Sequence, residues 1–311
     1  MQILVLLNQS SGALASTEDE PMEDAVRIAF QATGIRPEIR SVPGDRMREE
    51  AAAAVERGVD AVVAGGGDGT INAVASALAG TPTPLGVLPL GTLNHFAKDL
   101  GLPLDLADAV RVIADGIIRR VDVGRVNDRI FLNNSSLGVY ARALIGRDAR
   151  RDLHGVKKWP AMIRAALRTF WRSPMVHLRL DTAEKTVNRK TPLVFIGNNH
   201  YPLDRLNIGT REQFDGGELS LYLARTNTRW GMLMIMIRAA LGTLEQARDF
   251  DTEMVTGVTI ETSRNHLPVA IDGEVVRLPT PLEYRIWPQA LQVFVGPRPD
   301  DDVAVARRKL H

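Results

Sequence analysis

Residues 65–70 read Gly-Gly-Gly-Asp-Gly-Thr and stand between two segments of opposite character. The mostly apolar run 59–63 before them is typical of a buried strand, and residues 71–78 after them are typical of a helix. Glycines let the backbone adopt positive φ or approach a phosphate closely, and the unpaired amides at a helix N-terminus favour an anion. The segment therefore predicts a strand, a tight turn and a helix that bind a phosphorylated ligand.

Asp68 narrows the chemistry of this turn. A carboxylate repels phosphate, so Asp68 fits best if a divalent cation lies between the two. The alternative is a tight strand-to-helix turn that only needs small residues. The segment is not a Walker A loop, because no Gly-Lys-Ser/Thr follows, and it lacks the Gly-x-Gly-x-x-Gly spacing of dinucleotide-binding proteins.

A second segment repeats the same order of elements. Residues 85–89 are typical of a buried strand, and residues 90–101 turn on glycine and enter a helix. In open parallel sheets, ligands bind beyond the carboxyl ends of the strands, so we expect both turns to face one crevice.

Five motifs, in the right order, resemble the diacylglycerol kinase catalytic-domain family in its bacterial lipid-kinase and sphingosine-kinase-like branch. Residues 8–12 resemble Asn-Pro-x-Ser-Gly, 66–72 match the nucleotide loop, 90–97 resemble Leu-Gly-Thr-x-Asn-Asp-Phe-Ala, 121–124 resemble Val-Asp-x-Gly, and 272–274 match Asp-Gly-Glu. The resemblance spans most of the chain. It implies an ATP- and Mg²⁺-dependent kinase of a lipid hydroxyl, such as that of a diacylglycerol-like lipid.

The resemblance also implies a set of site residues. Glu274 takes the place of the catalytic base and acts with Asp68, although an Asp-Gly pair is a strong hairpin former in its own right. Metal ligation falls to Asp68, to Asp122 and, at a second site, to Asp215. Nucleotide contacts fall to Asn8, Ser10, Gly12, Gly66, Gly67, Asp68, Gly69, Thr70, Asn72, Thr92, Asn94 and His95. The hydroxyl and amide groups in this set also suit helix caps and turns.

Two positions depart from the family pattern. His95 stands where the motif has aspartate, which replaces one carboxylate of a metal-water network by a neutral or cationic group. Gly216 stands where the family usually has a second aspartate beside a structural Mg²⁺ site, which leaves only Asp215 to serve there.

The composition suits a globular enzyme without thiol chemistry. The 311 residues are 45% hydrophobic and 24% charged, and they include no cysteine, so disulfides and thiolate metal sites are excluded. The N-terminus lacks a signal peptide, and the longest apolar stretch, 230–237, is too short to span a bilayer. We expect a cytoplasmic protein.

Basic charge concentrates in residues 142–190, with 13 Lys/Arg against 4 Asp/Glu. Within that range, residues 157–172 read as an amphipathic helix with Arg164, Arg168 and Arg172 on one face. Such a helix either docks peripherally on an anionic membrane or packs its apolar face on the protein. Nucleic acid is not an expected partner, because no recognition pattern accompanies the charge; a homodimer is left open.

The order of elements predicts two domains. Residues 1–124 alternate strand and helix, which indicates an α/β domain with a mostly parallel sheet: strands at 3–7 and near 38–42, helices at about 22–33, 46–57 and 106–114, and the two turn segments. Residues 125–296 indicate a β-rich domain, with strand-like segments at 129–132, 175–181, 191–197, 219–224, 257–262, 268–271 and 291–295.

The resemblance implies that the first domain binds the nucleotide, is similar to NAD kinases and phosphofructokinases, and is completed by residues 297–311 with a returning helix at 301–310. It also implies that the second domain binds the lipid. Two other functions remain open: a kinase of a soluble substrate, of the NAD-kinase type, and a nucleotide-binding regulatory protein that has lost turnover.

Overall fold

The computed structural model describes residues 2–9, 22–138, 176–182, 186–191, 193–200, 214–240 and 246–297. The chain divides into an α/β unit, Met1–Val121 with Gln289–His311, and a β unit, Asp122–Pro288. These boundaries differ from the expected ones at 124/125 and 296/297. The chain re-enters the α/β unit at Gln289, within a long strand that the sequence analysis placed wholly in the β-rich domain. The expected returning helix, 301–310, lies outside the described residues.

The α/β unit contains a parallel sheet in the order β2-β1-β3-β4, to which the end of β16 adds where Val293 pairs with Leu85. The strands are β1 (Ile3–Asn8), β2 (Glu38–Val42), β3 (Ala61–Gly66) and β4 (Leu85–Pro89). The helices are α1 (Met22–Gln31), α2 (Met47–Glu56, after the 3-10 turn Gly44–Arg46), α3 (Asp68–Leu78), α4 (His95–Asp99) and α5 (Leu106–Asp115).

The local sequence explains these elements. The first five residues of β1 are all apolar and all buried, as in a parallel strand that is covered on both faces. Helix α5 begins after Asp105, whose side chain accepts hydrogen bonds from the N–H groups of Ala107 and Asp108, and it ends at Gly116 with φ of 70°. The buried faces of α1 and α5 pack with β1, β3 and β4 into one core.

The β unit contains two antiparallel arrangements of strands. One is a six-stranded sheet in the order β12-β11-β10-β7-β14-β15; in the other, β16, β13, β8 and β9 pair in that order, and β5 pairs with β16 and β6. The strands are β5 (Ile118–Val126), β6 (Arg129–Phe131), β7 (Asn134–Gly138), β8 (Val176–Thr182), β9 (Thr186–Thr191), β10 (Leu193–Asn198), β11 (Leu219–Ala224), β12 (Phe250–Val255), β13 (Gly257–Glu261), β14 (His266–Ile271), β15 (Glu274–Pro279) and β16 (Leu282–Phe294).

A single core joins the two arrangements of the β unit. It contains Phe131, Ile260 and Tyr284 from one and Leu137 and Leu221 from the other, all at most 2% exposed. The Tyr284 hydroxyl and the Ser135 Oγ lie 3.0 Å apart in this core. The β unit is therefore a two-layer β structure with a shared apolar interior.

The described residues of the β unit also form two helices, α6 (Arg229–Ala240) and α7 (Gln246–Asp249). The buried side chains of Met232 and Ile235 attach α6 to the six-stranded sheet, where Ile235 packs with Tyr222 and Phe250. Among the helices in the described ranges, none combines the length and the apolarity that crossing a bilayer requires.

The parallel α/β unit and the antiparallel β unit confirm the fold class that the sequence predicted. Strands β2, β4 and β11 have the predicted bounds. The sequence analysis missed β5, β7, β9, β12, β15 and the first part of β16. The basic segment 157–172 lies outside the described residues.

Candidate active site

Three parallel strands of the α/β unit end close together. Asn8 ends β1, Gly66 ends β3 and Pro89 ends β4. The N–H of Leu90, in the second turn, donates to the carbonyl of Gly66 at 3.1 Å. The Asn8 Nδ2 donates to the Thr70 Oγ1 at 2.7 Å. The structure therefore brings the first, second and third motifs of the sequence to one edge of the sheet.

Close packing requires glycine at two positions of these turns. A Cβ placed on Gly91 would lie 2.4 Å from the Cα of Gly67, and one on Gly66 would lie 2.6 Å from the Thr70 Oγ1. Positive φ, which the sequence analysis offered as a second reason for these glycines, is not used: no residue of 65–69 has it, and Gly67 has φ of −86° and ψ of −177°. Close packing therefore explains Gly66 and Gly91, whereas a Cβ on Gly67 would meet the Gly91 Cα at an ordinary 3.6 Å.

Helix α3 begins directly at the first turn, with Gly67 as its N-cap residue. The N–H of Ile71 is the first to bond back into the helix, donating to the Gly67 carbonyl at 3.0 Å. The amides of Asp68, Gly69 and Thr70 precede it and have no acceptor within the helix. Gly67, Asp68 and Gly69 are half-buried. This helix end offers amide donors and partial positive charge to an anion.

Asp68 links the two turns. Its Oδ1 accepts a hydrogen bond of 3.1 Å from the N–H of Phe96 in α4. One oxygen of the carboxylate thus holds the start of α4, while its other lone pairs can face a ligand.

Asn94 braces the second turn from inside. It is buried, has left-handed φ of 53°, and donates from Nδ2 to the carbonyls of Pro89 at 3.0 Å and Gly91 at 2.8 Å. Its Oδ1 accepts from the Gly91 N–H at 3.0 Å. Both amide protons of Asn94 therefore bond within the turn. One lone pair of its Oδ1 is left to accept a hydrogen bond from the nucleotide, which is the contact that the resemblance implies.

The other nucleotide residues differ in accessibility. Thr92 is exposed, Asn72 and His95 are half-buried, and Thr70 is 6% exposed beneath Asn8. The Nδ1 of His95 is buried and has no hydrogen-bond partner within the described part of the chain. Ser10 and Gly12 lie outside the described residues. These contacts all remain predictions.

In the β unit, the Asp-Gly pair forms a two-residue hairpin turn. Asp272 and Gly273 have φ of 45° and 87°, and Ile271 pairs with Glu274 across the turn. The Asp272 carboxylate accepts three N–H groups: Leu132 at 2.7 Å, Asn133 at 2.8 Å and Asn134 at 3.0 Å. Asp272 therefore fixes the hairpin turn to the connection between β6 and β7. Glu274 follows the turn as the first residue of β15, and its side chain is exposed.

Asp122 and the segment 214–217 also meet in the β unit. The Asp122 N–H donates to the Phe214 carbonyl at 2.7 Å, and the Asp122 Oδ2 accepts from the Gly217 N–H at 2.7 Å. Asp122 is 2% exposed, whereas Asp215 is exposed. Asp122 thus anchors this turn, in which Gly217 has φ of 72°.

A cage built from protein side chains alone is not found: the described ranges contain no group of three or more His, Asp or Glu residues placed to hold a metal ion. Mg²⁺ usually takes only one or two carboxylates and completes its shell with phosphate and water. The half-buried Asp68 carboxylate beside the amides of α3 fits that pattern.

Sequence reasoning missed the residues that position the site. It did not foresee the three hydrogen bonds of the Asp272 carboxylate, the Asn8–Thr70 hydrogen bond, or the hydrogen bonds by which Asn94 holds the second turn. Of these three features, only the one at Asp272 had a signal in the sequence. The Asp-Gly pair predicts a hairpin turn, but it does not predict which N–H groups the Asp272 carboxylate binds. The other two join residues through contacts that no local pattern encodes.

The fold and the site define a class of two-domain proteins in which a parallel α/β unit with glycine turns precedes an antiparallel β unit. Residues 2–126 match the diacylglycerol kinase catalytic domain, and residues 134–295 match the YegS C-terminal NAD kinase beta sandwich-like domain. The chain belongs to the diacylglycerol kinase family, with YegS-like lipid kinases among its relatives, as the motifs predicted.

Similar proteins include a probable YegS-like lipid kinase of Chromohalobacter salexigens, 31% identical over 87% of this chain and 86% of the relative. A diacylglycerol kinase of Mycobacterium tuberculosis is 29% identical over 78% of this chain and 79% of the relative. The fold is similar to the crystal structure of a diacylglycerol kinase from Bacillus anthracis, with a TM-score of 0.66, 18% identity, and coverage of 95% of this chain and 97% of that one. The chain spans about half, 54%, of an uncharacterised Synechocystis relative.

Proposed function

We propose that this protein is an ATP- and Mg²⁺-dependent kinase that phosphorylates the hydroxyl of a diacylglycerol-like lipid. The observation that carries the proposal lies in the α/β unit. The Asp68 carboxylate bonds to the N–H of Phe96, and Gly91 packs against Gly67, so the two turns that we expect to bind phosphate lie together. Family membership supports a kinase, and relatives that are named lipid kinase or diacylglycerol kinase support a lipid acceptor.

The residues of the α/β unit would bind the nucleotide. The amides at the start of α3 hold phosphate oxygens, which the partial positive charge of the helix end favours. Asp68 would hold Mg²⁺, which neutralises the charge of the triphosphate when it is bound. The Asp68 Oδ1 keeps its bond to Phe96, so the carboxylate is oriented before any ligand arrives.

Glu274 is the proposed general base. Its carboxylate would accept the proton of the lipid hydroxyl as the oxygen attacks the terminal phosphorus of ATP, while the bond from that phosphorus to the bridging oxygen breaks and ADP leaves. The three hydrogen bonds to Asp272 hold the turn rigid, which fixes where Glu274 leaves the sheet. Asp122 and Asp215 stay predicted metal ligands, with Asp122 also anchoring the Phe214–Gly217 turn.

A lipid substrate requires contact with a membrane, so we propose a cytoplasmic protein that associates peripherally with it. Diacylglycerol, a sphingoid base and phosphatidylglycerol all present the hydroxyl that this chemistry needs.

The test is ATP consumption across a panel of these lipids in mixed micelles, with and without Mg²⁺. Phosphorylation of one lipid by the wild type, lost in Glu274→Gln with nucleotide binding retained, would establish the function. Nucleotide binding without turnover on any lipid would instead support the regulatory protein for which the His95 and Gly216 departures argue.

A further inference from the structure

Three of the four exposed large apolar side chains in the described part of the β unit lie on one helix. The four are Trp230, Met234, Ile237 and Met254, with exposures of 66%, 45%, 41% and 36%. Three of them lie on α6 at positions i, i+4 and i+7, which forms a stripe along one side of the helix. Isolated exposed apolar residues are ordinary, but a contiguous stripe marks an interaction surface.

The stripe faces away from the sheet beneath it. Met232 and Ile235, on the other side of α6, are 5% and 6% exposed and fasten the helix to the six-stranded sheet. Helix α6 therefore carries apolar side chains on both sides, and Met234 and Ile237 on the outer side stay 45% and 41% exposed. A helix of this kind needs a second apolar or interfacial environment.

Strand register places a basic cluster on the same face of the sheet. Cross-strand partners share a face, so the row Thr252, Tyr222, Phe195, Ser136, Ala270 and Val275 defines the face on which α6 packs. Met254 is two residues from Thr252, Arg277 is two from Val275, and His266 is four from Ala270, so all three share that face.

The basic cluster surrounds an open cavity of about 760 Å³ at the edge of this sheet. Arg264, His266 and Arg277 line it together with the polar side chains of Ser263 and Asn265. All three basic side chains are exposed, and neither arginine makes an ion pair with any residue in the described ranges. Two arginines that line one cavity without an ion-pair partner among the described residues are suited to phosphate.

Acidic side chains are absent from this face of the six strands and from α6, and Asp249 of the adjoining α7 is buried in an ion pair with Arg238. No position on that face of the six strands is Asp or Glu, and the α6 sequence contains neither. The nearby Asp251, on β12, is paired with both Arg189 and Arg225. An apolar stripe beside unpaired cations complements an anionic bilayer, whose headgroups bind arginine while its interface accepts Trp and Met.

We propose that the Trp230–Met234–Ile237 stripe, Met254 and the Arg264–His266–Arg277 cluster form one docking face for an anionic lipid bilayer. This rests on the proposed function, because a lipid kinase must meet its substrate in a membrane. The stripe enters the interface, and the two arginines bind headgroup phosphates. Docking would hold the β unit, which carries Glu274, at the surface that contains the acceptor.

The test is binding of the full chain to vesicles in the absence of ATP, using mixed phosphatidylglycerol–phosphatidylcholine vesicles and pure phosphatidylcholine vesicles. Arg264→Gln/Arg277→Gln should weaken binding to the anionic vesicles by about 30-fold at low salt, the effect of about 1 kcal/mol per charge near the surface, and the loss should shrink as salt rises. Arg36→Gln/Arg48→Gln, two exposed arginines of the α/β unit, is the control with the same charge change and should bind like the wild type.

Met234→Gln/Ile237→Gln should weaken binding by about tenfold or more on both vesicle types, with little dependence on salt. Its control is Ile28→Gln/Leu104→Gln, which replaces apolar residues that are 57% and 50% exposed on the α/β unit. Circular dichroism and thermal unfolding confirm that each variant is folded.

Wild-type binding by both docking-face variants would overturn the proposal. Binding of soluble glycerol 3-phosphate that is lost in Arg264→Gln/Arg277→Gln, while vesicle binding by that variant stays at the wild-type level, would also overturn it, since the cavity would then hold a small phosphate and not a bilayer. Vesicle binding that depends on this face but comes without ATP consumption would sustain docking and refute the kinase. Lipid phosphorylation in micelles, without vesicle binding through this face, would sustain the kinase and refute docking.

Discussion

The backbone N–H of Phe96 donates to the Asp68 carboxylate at 3.1 Å across 28 residues of sequence. This bond joins the glycine turn after β3 to the helix that follows β4, so one side chain belongs to both motifs. Asp68 is consequently a structural residue as well as a proposed metal ligand. Any test of its role in binding has to separate the two.

Replacing Asp68 in two ways makes that separation. Asp68→Asn keeps an oxygen that can accept from Phe96 but loses the charge, whereas Asp68→Ala loses both. We expect Asp68→Ala to lower the free energy of unfolding by about 1 kcal/mol more than Asp68→Asn does. Both should abolish the Mg²⁺-dependent part of the stabilisation by ATP, measured as a thermal shift with Mg²⁺ and with a chelator. A full Mg²⁺-dependent shift in Asp68→Asn would refute metal binding there.

The two glycines in contact should respond differently to alanine. A Cβ on Gly91 would meet the Gly67 backbone at 2.4 Å, so Gly91→Ala should cost about 1–3 kcal/mol of unfolding free energy. A Cβ on Gly67 would meet Gly91 at an ordinary 3.6 Å, so Gly67→Ala should fold like the wild type.

If the amides after Gly67 hold phosphate, Gly67→Ala should still reduce ATP binding, because its methyl group stands where a phosphate approaches. Urea unfolding measures the free energy of unfolding of both alanine variants, and calorimetric titration measures the ATP affinity of Gly67→Ala. Unchanged ATP affinity in a folded Gly67→Ala protein would place the nucleotide elsewhere.

Glu274 and Asp272 share one turn but should fail in different ways. Glu274→Gln removes the proposed base, so turnover on the lipid substrate should fall by roughly 100-fold or more while nucleotide affinity is retained. Turnover close to that of the wild type would contradict the assignment of the base.

Asp272→Ala leaves the N–H groups of Leu132, Asn133 and Asn134 without their acceptor. We expect it to lower the free energy of unfolding by about 2–4 kcal/mol. Asp272→Asn is the matched control, since asparagine tolerates the left-handed φ of 45° and keeps one acceptor oxygen; it should cost less. Equal stability of wild type and Asp272→Ala in urea would show that these bonds do not hold the turn.

His95→Asp restores the carboxylate of the family motif next to Phe96, the residue that Asp68 binds. A second carboxylate there would strengthen a Mg²⁺-water network but repel a phosphate that His95 contacts. We expect a working site in the wild type, and therefore equal or lower lipid kinase activity in His95→Asp. A gain of Mg²⁺-dependent activity from an inactive wild type would instead identify a site that has lost turnover.

Complete burial raises the pKa of Tyr284, and the hydrogen bond with Ser135 opposes this only in part. Because the unfolded chain loses this proton near the ordinary tyrosine pKa of about 10, the folded state binds more protons above that pH. Stability from this group is therefore complete below pH ~10 and falls above it by up to about 1.4 kcal/mol per pH unit. In urea unfolding between pH 8 and pH 11, Tyr284→Phe should lose less stability with pH than the wild type; identical pH dependence would contradict this.

Local sequence was sufficient wherever a signal is short-range. The apolar run of β1, the strands β2 and β4, and the glycine turn before α3 were predicted because burial on both faces and the need for small residues leave direct traces in the chain. Strands such as β9, which reads Thr-Val-Asn-Arg-Lys-Thr, were missed because an exposed strand owes its existence to its partner and carries no apolar pattern of its own.

The sequence by itself determined the family, the fold class and the residues of the two turns, since motif order and glycine spacing are properties of the chain. Tertiary structure alone decided that Asp68 accepts a hydrogen bond from Phe96, that Gly91 packs on Gly67, and that the Asp272 carboxylate accepts hydrogen bonds from three N–H groups. It also decided which exposed side chains share a face, as Met254 and Arg277 do. Each of these joins residues far apart in sequence, and such pairs are fixed by sheet register and packing, which depend on every strand at once.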